Sequence, residues 1–364
     1  MSSTIVVGAG FGDEGKGQTV SNLIKEKSPG LVVRFNGGHQ AGHTVVYDGI
    51  RHVFSNFGSG TLQGVPTYWS NYCTIDLYGM KKEYDKLISL GVTPRLYIDP
   101  MALVTLPLDK QANITNESFN DHGTVGVGFG DTIERNEFFY KLYAMDLQFP
   151  FVLKNKLDLI INNYFHGRDY SWVSEFLDLV DWLNDTPNIT IAFPEELIEK
   201  DLIFEGAQGL LLDQDFGFFP HVTRSKCSPI NALSILKDIC RLNAVQVLYV
   251  TRAYHTRHGN GPLSDEYEDL NLIPDLIETN QTNQFQGKFR KAPLNIDLLA
   301  YAITMSRREN LNHFFKVNIT CLGHFATDNV PIILSEKLIH VTKHELLKLI
   351  KSIFGEAIES IWKD

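Results

Sequence analysis

The sequence predicts an α/β protein in which a mostly parallel central sheet is flanked by helices. Short apolar runs typical of strands recur along the chain, and helical patterns lie between several of them. The first run is followed directly by a glycine-rich turn and a helical pattern, which predicts a P-loop-like phosphate loop near the N-terminus. The predicted strands cover residues 4–8, 31–35, 96–99, 189–193, 202–204, 245–251 and 315–322.

Length and composition predict one large domain, residues 1–364, with inserted subdomains. The chain has 364 residues, 43% of them hydrophobic, and shows neither an internal repeat nor a linker rich in proline, glycine and serine. The cysteines lack the close spacing of a zinc site or a disulfide framework, so we expect buried free thiols. The final segment, residues 344–362, has helical apolar spacing and is predicted to pack on the body of the protein.

Charge and hydropathy limit the partners that we expect. A formal net charge of -10 argues against a surface that binds nucleic acid. No apolar run approaches the roughly 20 residues of a membrane-spanning helix, and the N-terminus lacks the pattern of a signal peptide. We therefore expect a cytoplasmic protein that captures anionic ligands locally and binds neither nucleic acid nor membrane.

The turn after the first strand, GFGDEGKG at residues 10–17, has the position at which α/β proteins bind phosphates. Its glycines free backbone N–H groups, and the positive end of the following helix favours an anion. The turn fits a Walker-type loop, except that Gly17 stands where a serine or threonine is usual. It also fits a dinucleotide-binding loop, except that the second strand does not end in the acidic residue that binds the ribose hydroxyls. Neither alternative explains Asp13 and Glu14, because acids repel phosphate unless a metal ion or proton transfer accounts for them.

Polar residues suited to nucleotide chemistry follow several later strands. In the glycine-rich turn at residues 36–44, His43 is a candidate proton donor, whereas His39 is expected to be structural. A second glycine-rich turn, residues 123–130, suits another phosphate, and Gln208 suits hydrogen bonding to a heterocycle. The basic segment at residues 287–291 suits a carboxylate ligand, which Arg290 is able to bind bidentately.

Taken in order, these motifs resemble the adenylosuccinate synthetase family. The segments are GDEGKG, NGGHQAGHT, FEGAQGLLLD with PHVT, TRAYHTRHGNGP and the basic segment, so the resemblance spans most of the chain. It implies a carbon–nitrogen ligase that uses a nucleoside triphosphate and Mg²⁺ to join L-aspartate to the 6-oxo position of a purine nucleotide. The reaction would pass through a 6-phosphoryl intermediate.

The resemblance also implies a role for individual residues. Asp13 would remove the purine N1 proton and, with the carbonyl of Gly42, ligate the metal; His43 would be the general acid. Lys16 would stabilise developing charge and Gln208 would steady the purine. The implied nucleotide-binding residues are Gly12, Asp13, Glu14, Gly15, Lys16, Gly17, Gln40, Gly42, His43, Thr44, Thr124, Val125, Gln208, Thr223 and Gly259. The implied aspartate-binding residues are Gly287, Lys288, Phe289 and Arg290.

The sequence departs from the family at positions that bear on substrate choice. Gln40 stands where the family has an asparagine, and the aspartate loop is reduced to QGKFRK. The family's T-K-L-D pattern, whose aspartate accepts from the guanine of GTP, is TCLG at residues 320–323, so we predict ATP as the phosphoryl donor. These departures resemble the short phage branch of the family, which makes 2-aminoadenine nucleotides. We therefore predict dGMP as the purine substrate, with IMP as the alternative.

The resemblance further implies a homodimer in which an arginine of one subunit reaches the nucleotide of the other. Arg135 is the nearest candidate for that arginine. If the chain is viral, the expected location is the host cytoplasm. Two other function classes stay open: a non-catalytic nucleotide sensor, suggested by the reduced aspartate loop, and a dinucleotide-dependent oxidoreductase, suggested by the GxGxxG spacing.

Overall fold

A computed structural model describes residues 2–120, 126–167, 169–193, 197, 200–273, 288–308, 313–355 and 357–359. The strands are β1 (Ser3–Gly8), β2 (Leu31–Arg34), β3 (His43–Tyr47), β4 (Ile50–Phe54), β5 (Thr67–Trp69), β6 (Thr74–Ile75), β7 (Leu96–Ile98), β8 (Leu103–Val104), β9 (Ile189–Ile191), β10 (Leu202–Gly209), β11 (Val245–Arg252), β12 (Tyr254–Arg257), β13 (Arg290–Asn295), β14 (Phe314–Thr320), β15 (Val330–Leu334), β16 (Lys337–Val341) and β17 (Ala357–Glu359). The helices are α1 (Lys16–Lys27), α2 (Leu77–Ser89), α3 (Pro107–Asn120), α4 (Phe129–Glu137), α5 (Pro150–Leu159), α6 (Val173–Asp185), α7 (Ile230–Asp238), α8 (Ile296–Arg308) and α9 (Lys343–Phe354).

The central sheet has nine strands in the order β17-β14-β11-β1-β10-β2-β5-β7-β9, and every neighbouring pair is parallel. The predicted mostly parallel sheet is therefore confirmed, and each of the seven predicted strands corresponds to a strand of this sheet. The prediction missed β5, which has only three residues.

The prediction of a helix through residue 362 was wrong. Helix α9 ends at Phe354, because Gly355 takes the positive φ of 89° that a continuing helix does not allow. The chain then adds β17 beside β14 at the edge of the sheet.

Smaller sheets complete the fold. A four-stranded sheet, β12-β13-β15-β16, combines antiparallel and parallel pairs, while β3 and β4 form an antiparallel hairpin and β6 pairs with β8. Strands β3, β6, β8, β12 and β15 each come next along the chain after a strand of the central sheet.

Alternation along β1 shows how the central sheet is stabilised from both sides. Ile5 and Val7 pack into the larger core on one face, whereas Val6 packs on the other face against Val20 and Ile24 of α1. All five side chains are buried, and each such burial stabilises the fold by about 1.5–3 kcal/mol. Strand β1 is therefore packed on both faces up to the glycine-rich loop that follows it.

Two expectations about individual features have different outcomes. Cys73, Cys227 and Cys321 are buried free thiols as predicted, but Cys240 is exposed. In the part of the chain that the structure describes, every helix is too short or too polar to cross a membrane.

Candidate active site

A cleft of about 630 Å³ opens where the loops following β1, β2, β10 and β11 meet. Such a position, outside the carboxyl ends of parallel strands, is where α/β sheets bind ligands. The predicted site residues that line this cleft are Gly12, Asp13, Gly15, Lys16, Gly17, Gln40, Gly42, His43, Thr44, Gln208 and Thr223. The sequence motifs that are far apart along the chain thus converge on one cavity.

The glycine-rich loop is shaped from beneath by Glu14. One oxygen of this buried carboxylate accepts from the backbone N–H groups of Gly10 at 3.0 Å and Gly12 at 2.8 Å. Its other oxygen accepts from Lys16 Nζ at 2.5 Å. Glu14 is therefore an internal brace of the loop and lies below the residues that line the cleft. This brace explains one of the two acids that phosphate binding alone left unexplained.

Close packing around Glu14 requires glycine on the neighbouring strand. A Cβ added at Gly209, the last residue of β10, would collide with the carbonyl oxygen of Gly10 and with the Glu14 carboxylate. Glycine is therefore required at the end of β10, because the loop and the buried Glu14 carboxylate lie too close for a side chain.

Asp13, the second acid of the loop, faces the cleft with about a fifth of its side chain exposed. Its carboxylate accepts from His258 Nε2 at 3.1 Å, and its own carbonyl accepts from Arg252 Nε at 2.5 Å. Burial raises the pKa of Asp13, but the hydrogen bond and charge of His258, with the charges of Arg252 and Lys16, outweigh burial and hold the pKa below 3.8. Asp13 is therefore an ionised hydrogen-bond acceptor at neutral pH.

His43 is the second acid–base group that lines the cleft. Its Nδ1 lies 2.5 Å from Oε1 of Glu205, a fully buried carboxylate that also accepts from the backbone N–H of Ser59 at 2.9 Å and from the Ser59 hydroxyl. Burial raises the pKa of Glu205, yet the pairing with His43, the charge of Arg34 and the Ser59 hydrogen bond together bring it down to about 2. An ionised Glu205 orients the imidazole so that its other nitrogen is left for a ligand.

Arg34 provides the countercharge for this pair. It lies beside Glu205 in the register of β2 and β10, and its guanidinium stacks 5.1 Å from the Trp69 ring centre. The side chain is completely buried, and within the described residues none of its nitrogens makes a hydrogen bond. Arg34 and Glu205 therefore form a buried ionic layer directly behind His43.

Two glutamines present amide groups to the cleft. Gln208, the next-to-last residue of β10, has a positive φ of 60°, an uncommon conformation outside glycine, and it lines the cavity. Both side-chain amide atoms of Gln40 are buried, and neither has a hydrogen-bond partner among the described residues. Because buried amides are almost always paired, Gln40 is suited to receive a polar group of a ligand.

The basic segment lies beside a second hollow of about 570 Å³. Lys288 is exposed there, but Arg290 donates to Glu266 Oε2 at 2.8 Å and to the carbonyls of Gly259 at 2.7 Å and Gly261 at 2.9 Å. The guanidinium of Arg290 is therefore hydrogen-bonded to residues of the same chain. Gly259 serves as one of its acceptors. Of the other predicted ligand-binding residues, Thr124, Val125 and Gly287 lie outside the described residues.

Arg135 is an internal structural residue and not an exposed arginine. It is fully buried and binds Asp109 through two nitrogens at 2.8 and 2.9 Å, and it also donates to the carbonyls of Val104 and Tyr140. All of its planar donor face is used within the subunit. The expectation that Arg135 reaches a partner's nucleotide is therefore wrong for this arrangement.

Sequence reasoning missed three residues that the structure places around the proposed acid–base groups: Glu205, Arg252 and His258. Glu205 lies within the motif FEGAQGLLLD, and Arg252 and His258 lie within TRAYHTRHGNGP, but no role was assigned to any of the three. The motifs could be identified from the sequence, but their hydrogen bonds join segments about 160 or 240 residues apart, and only the fold brings these segments together.

The parallel sheet, the glycine-rich loop after β1 and the polar cleft at the strand ends define an α/β protein of the phosphate-loop kind. The chain belongs to the adenylosuccinate synthetase family, because the family model described as adenylosuccinate synthetase matches residues 5–312. It is 31% identical over 297 residues to the adenylosuccinate synthetase of Magnetococcus marinus and 34% identical over 283 residues to that of Dichelobacter nodosus. These alignments cover 74% and 72% of the chain, and they span 66% and 64% of those relatives.

Two solved structures share the fold across nearly the whole chain. Fully ligated adenylosuccinate synthetase of Plasmodium falciparum has a TM-score of 0.78 at 18% identity and covers 99% of this chain and 97% of its own. The succinoaminodeoxyadenylate synthetase of cyanophage S-2L, solved with dGMP and with dATP as an energy donor, has a TM-score of 0.64 at 16% identity. That alignment covers 97% of this chain and 99% of the cyanophage enzyme.

Proposed function

We propose that the protein is a ligase that uses a nucleoside triphosphate to join L-aspartate to C6 of a 6-oxopurine nucleotide. The observation that carries this proposal is the convergence of Asp13, Lys16 and His43 on one cleft beside the glycine-rich loop. A carboxylate, a cation and an imidazole at a phosphate-binding loop are the groups that phosphoryl transfer to a weakly acidic oxygen requires.

The ionised carboxylate of Asp13 is suited to accept the N1 proton of the purine. Loss of that proton moves negative charge to O6, which becomes the nucleophile toward the γ-phosphate of the triphosphate. Lys16 stabilises the charge on the transferring phosphoryl group, and His43, whose Nδ1–H donates to Glu205, donates a hydrogen bond or a proton from Nε2 in its protonated form. The amino group of aspartate then attacks C6, and inorganic phosphate leaves with the former O6.

Hard oxygen donors in the cleft fit Mg²⁺. The Asp13 carboxylate and the carbonyl of Gly42 line the same cavity, and in the described ranges no three His, Cys, Asp or Glu side chains cluster as an all-protein metal cage. A carboxylate plus substrate phosphates is the usual way in which proteins bind Mg²⁺. We propose that these two groups hold the ion, which when bound neutralises charge on the phosphates.

The basic segment is the proposed binding site for the carboxylates of aspartate. Lys288 supplies an exposed ammonium group, while Arg290 fixes the turn of Gly259 and Gly261 through its hydrogen bonds. Among the described residues of the basic segment, Lys288 is exposed and is proposed to meet the substrate, while Arg290 shapes the wall beside it.

For the purine and the energy donor we propose dGMP and ATP. The carboxylate that would accept from guanine of GTP has no counterpart in Cys321, Leu322 and Gly323, so the basis for choosing GTP over ATP is missing. The shared fold of the cyanophage enzyme solved with dGMP supports this choice of purine. IMP is the second candidate, favoured by the name of the bacterial relatives at 31–34% identity.

A matrix of substrates tests the proposal. The protein is incubated with Mg²⁺, aspartate, either dGMP or IMP, and either ATP or GTP, and released phosphate and the succinyl-amino nucleotide are measured. Product with dGMP and ATP is expected. Product only with IMP and GTP would contradict the substrate choice but not the reaction. Nucleotide binding without product in any combination would contradict the ligase and favour a sensor.

A further inference from the structure

The carboxylate of Asp13 pairs with the side chain of His258. Nε2 of His258 lies 3.1 Å from Oδ2 of Asp13, and both side chains line the cleft. His258 is largely buried, with 17% of its side chain exposed, so the imidazole occupies a defined position at the cavity wall. This hydrogen bond uses Oδ2 of the carboxylate, whose other oxygen, Oδ1, is a second acceptor.

The position of the imidazole is fixed by its surroundings. Its ring packs against the ring of Phe289 with centroids 4.8 Å apart, and Phe289 belongs to the basic segment. The guanidinium of Arg252 lies 5.8 Å from the same Phe289 ring while its Nε donates to the carbonyl of Asp13. Asp13 therefore accepts two hydrogen bonds, one at its backbone carbonyl from Arg252 and one at its carboxylate from His258.

The backbone conformation of Asp13 makes these two contacts important for the position of its side chain. Asp13 has a positive φ of 61°, which a residue with a Cβ adopts rarely and at a cost. Gly12 beside it, with φ of 98°, does not restrain the carboxylate. Side-chain contacts therefore influence where the Asp13 carboxylate points, and His258 supplies such a contact at the wall of the cleft.

We propose that His258 is a positioning residue that aims the carboxylate of Asp13 at the purine N1–H and links it through Phe289 to the basic segment. The inference rests on the proposed function, because it assigns the aimed carboxylate to the base. Nδ1 of His258 is buried and has no hydrogen-bond partner among the described residues, so this nitrogen does not fix the ring elsewhere. Within the described part of the chain, the Asp13 bond and the Phe289 contact hold the ring.

The first test measures turnover of His258→Ala and His258→Gln with dGMP, IMP, aspartate and ATP. A hydrogen bond to an ionised group is worth a factor of about 10–100 in rate, so His258→Ala should lower kcat/KM for the purine by that factor. His258→Gln keeps an N–H donor of similar reach and should recover most of the loss. In an Asp13→Asn background, His258→Ala should cause no further loss.

A matched control is His52→Ala. His52 also lies beside a carboxylate, with Nε2 3.5 Å from Glu83 Oε1, but it is outside the cleft. Its kcat should equal that of the wild type even if its melting temperature falls. Equal losses in His258→Ala and His258→Gln, or losses that multiply with Asp13→Asn, would overturn the positioning role.

The second test needs no turnover and separates this inference from the ligase proposal. Calorimetry compares dGMP with its N1-methyl analogue, which has lost the N1–H. The wild type should prefer dGMP, and His258→Ala should lose that preference while His258→Gln keeps it. If the wild type turns over but His258→Ala discriminates normally, the positioning role is wrong and the ligase stands. If the wild type shows no turnover but its N1 preference depends on His258, the ligase is wrong and the positioning role stands. A wild type with neither turnover nor preference would refute both.

Discussion

Replacing Glu205 with glutamine should weaken both the fold and the catalytic histidine. The carboxylate is completely buried and accepts from His43 Nδ1 at 2.5 Å and from the Ser59 N–H at 2.9 Å. Glutamine keeps the size and one acceptor oxygen but removes the negative charge. Arg34, buried beside it, would then lack its countercharge.

The magnitude follows from the pKa of Glu205. Folding lowers this pKa from 4.5 to about 2, and each unit is worth about 1.4 kcal/mol, so the charge contributes about 3 kcal/mol to the free energy of unfolding. Because the folded pKa is the lower one, this contribution is fully present above pH 4.5. It is lost progressively as the pH falls from 4.5 toward 2.

Urea unfolding of the wild type and Glu205→Gln, from pH 7 down to pH 3, measures this contribution. The free energies of unfolding should differ by about 3 kcal/mol from pH 7 to about pH 5, and the difference should shrink below that. Glu205→Gln should also lower kcat, because His43 loses its ionised partner. Equal stability at pH 7, or a difference that stays constant down to pH 3, would refute the buried ionic layer.

Glu83→Gln is the matched control for that experiment. Glu83 is also buried and accepts from the backbone N–H groups of Ser55 and Asn56, but it lies outside the cleft. Its replacement should lower stability and leave kcat unchanged. A comparable loss of kcat in Glu83→Gln would show that the activity lost in Glu205→Gln reflects destabilisation alone.

Three further substitutions test separate parts of the site. Asp13→Asn should reduce kcat by a factor of about 10²–10⁴ because the base is lost, which steady-state kinetics will measure; turnover like that of the wild type would remove Asp13 from that role. Gly209→Ala should lower the free energy of unfolding by about 1–3 kcal/mol, because the added Cβ collides with the loop and with Glu14. Gly323→Ala is the control, because its Cβ meets nothing within 4 Å and its free energy of unfolding should match that of the wild type. Equal unfolding curves for the two variants would contradict the packing around Glu14. Lys288→Gln should raise KM for aspartate about tenfold with KM for the nucleotides unchanged, and an unchanged KM for aspartate would move its binding site elsewhere.

The central strands and the phosphate loop are local features, and the sequence predicts them well. A parallel sheet buried on both faces needs continuous apolar runs such as 245–251, and a strand–glycine–helix transition is encoded within about 25 residues. The short strand β5 and the end strand β17 have too little local signal, and they pair because a neighbouring strand is present.

The candidate site was predictable where a motif carries its own chemistry and unpredictable where a partner lies far along the chain. His43 was expected as an acid–base group, but its pairing with Glu205 exists only because β10 lies beside β2. Glu14 was expected to bind nucleotide, whereas the fold turns it under the loop to brace Gly10 and Gly12. Arg290 was expected to bind a substrate carboxylate, but in the structure its guanidinium donates to the carbonyls of Gly259 and Gly261.

The transfer of O6 to phosphate is the step on which the proposed reaction depends, and an isotope measures it directly. The purine nucleotide is labelled with ¹⁸O at the 6-oxo position and incubated with aspartate, Mg²⁺ and ATP, and the released phosphate is analysed by mass spectrometry. Attack of O6 on the γ-phosphate predicts one ¹⁸O in every molecule of phosphate formed with product. Unlabelled phosphate formed together with the succinyl-amino nucleotide would contradict the 6-phosphoryl intermediate and the role given to Asp13.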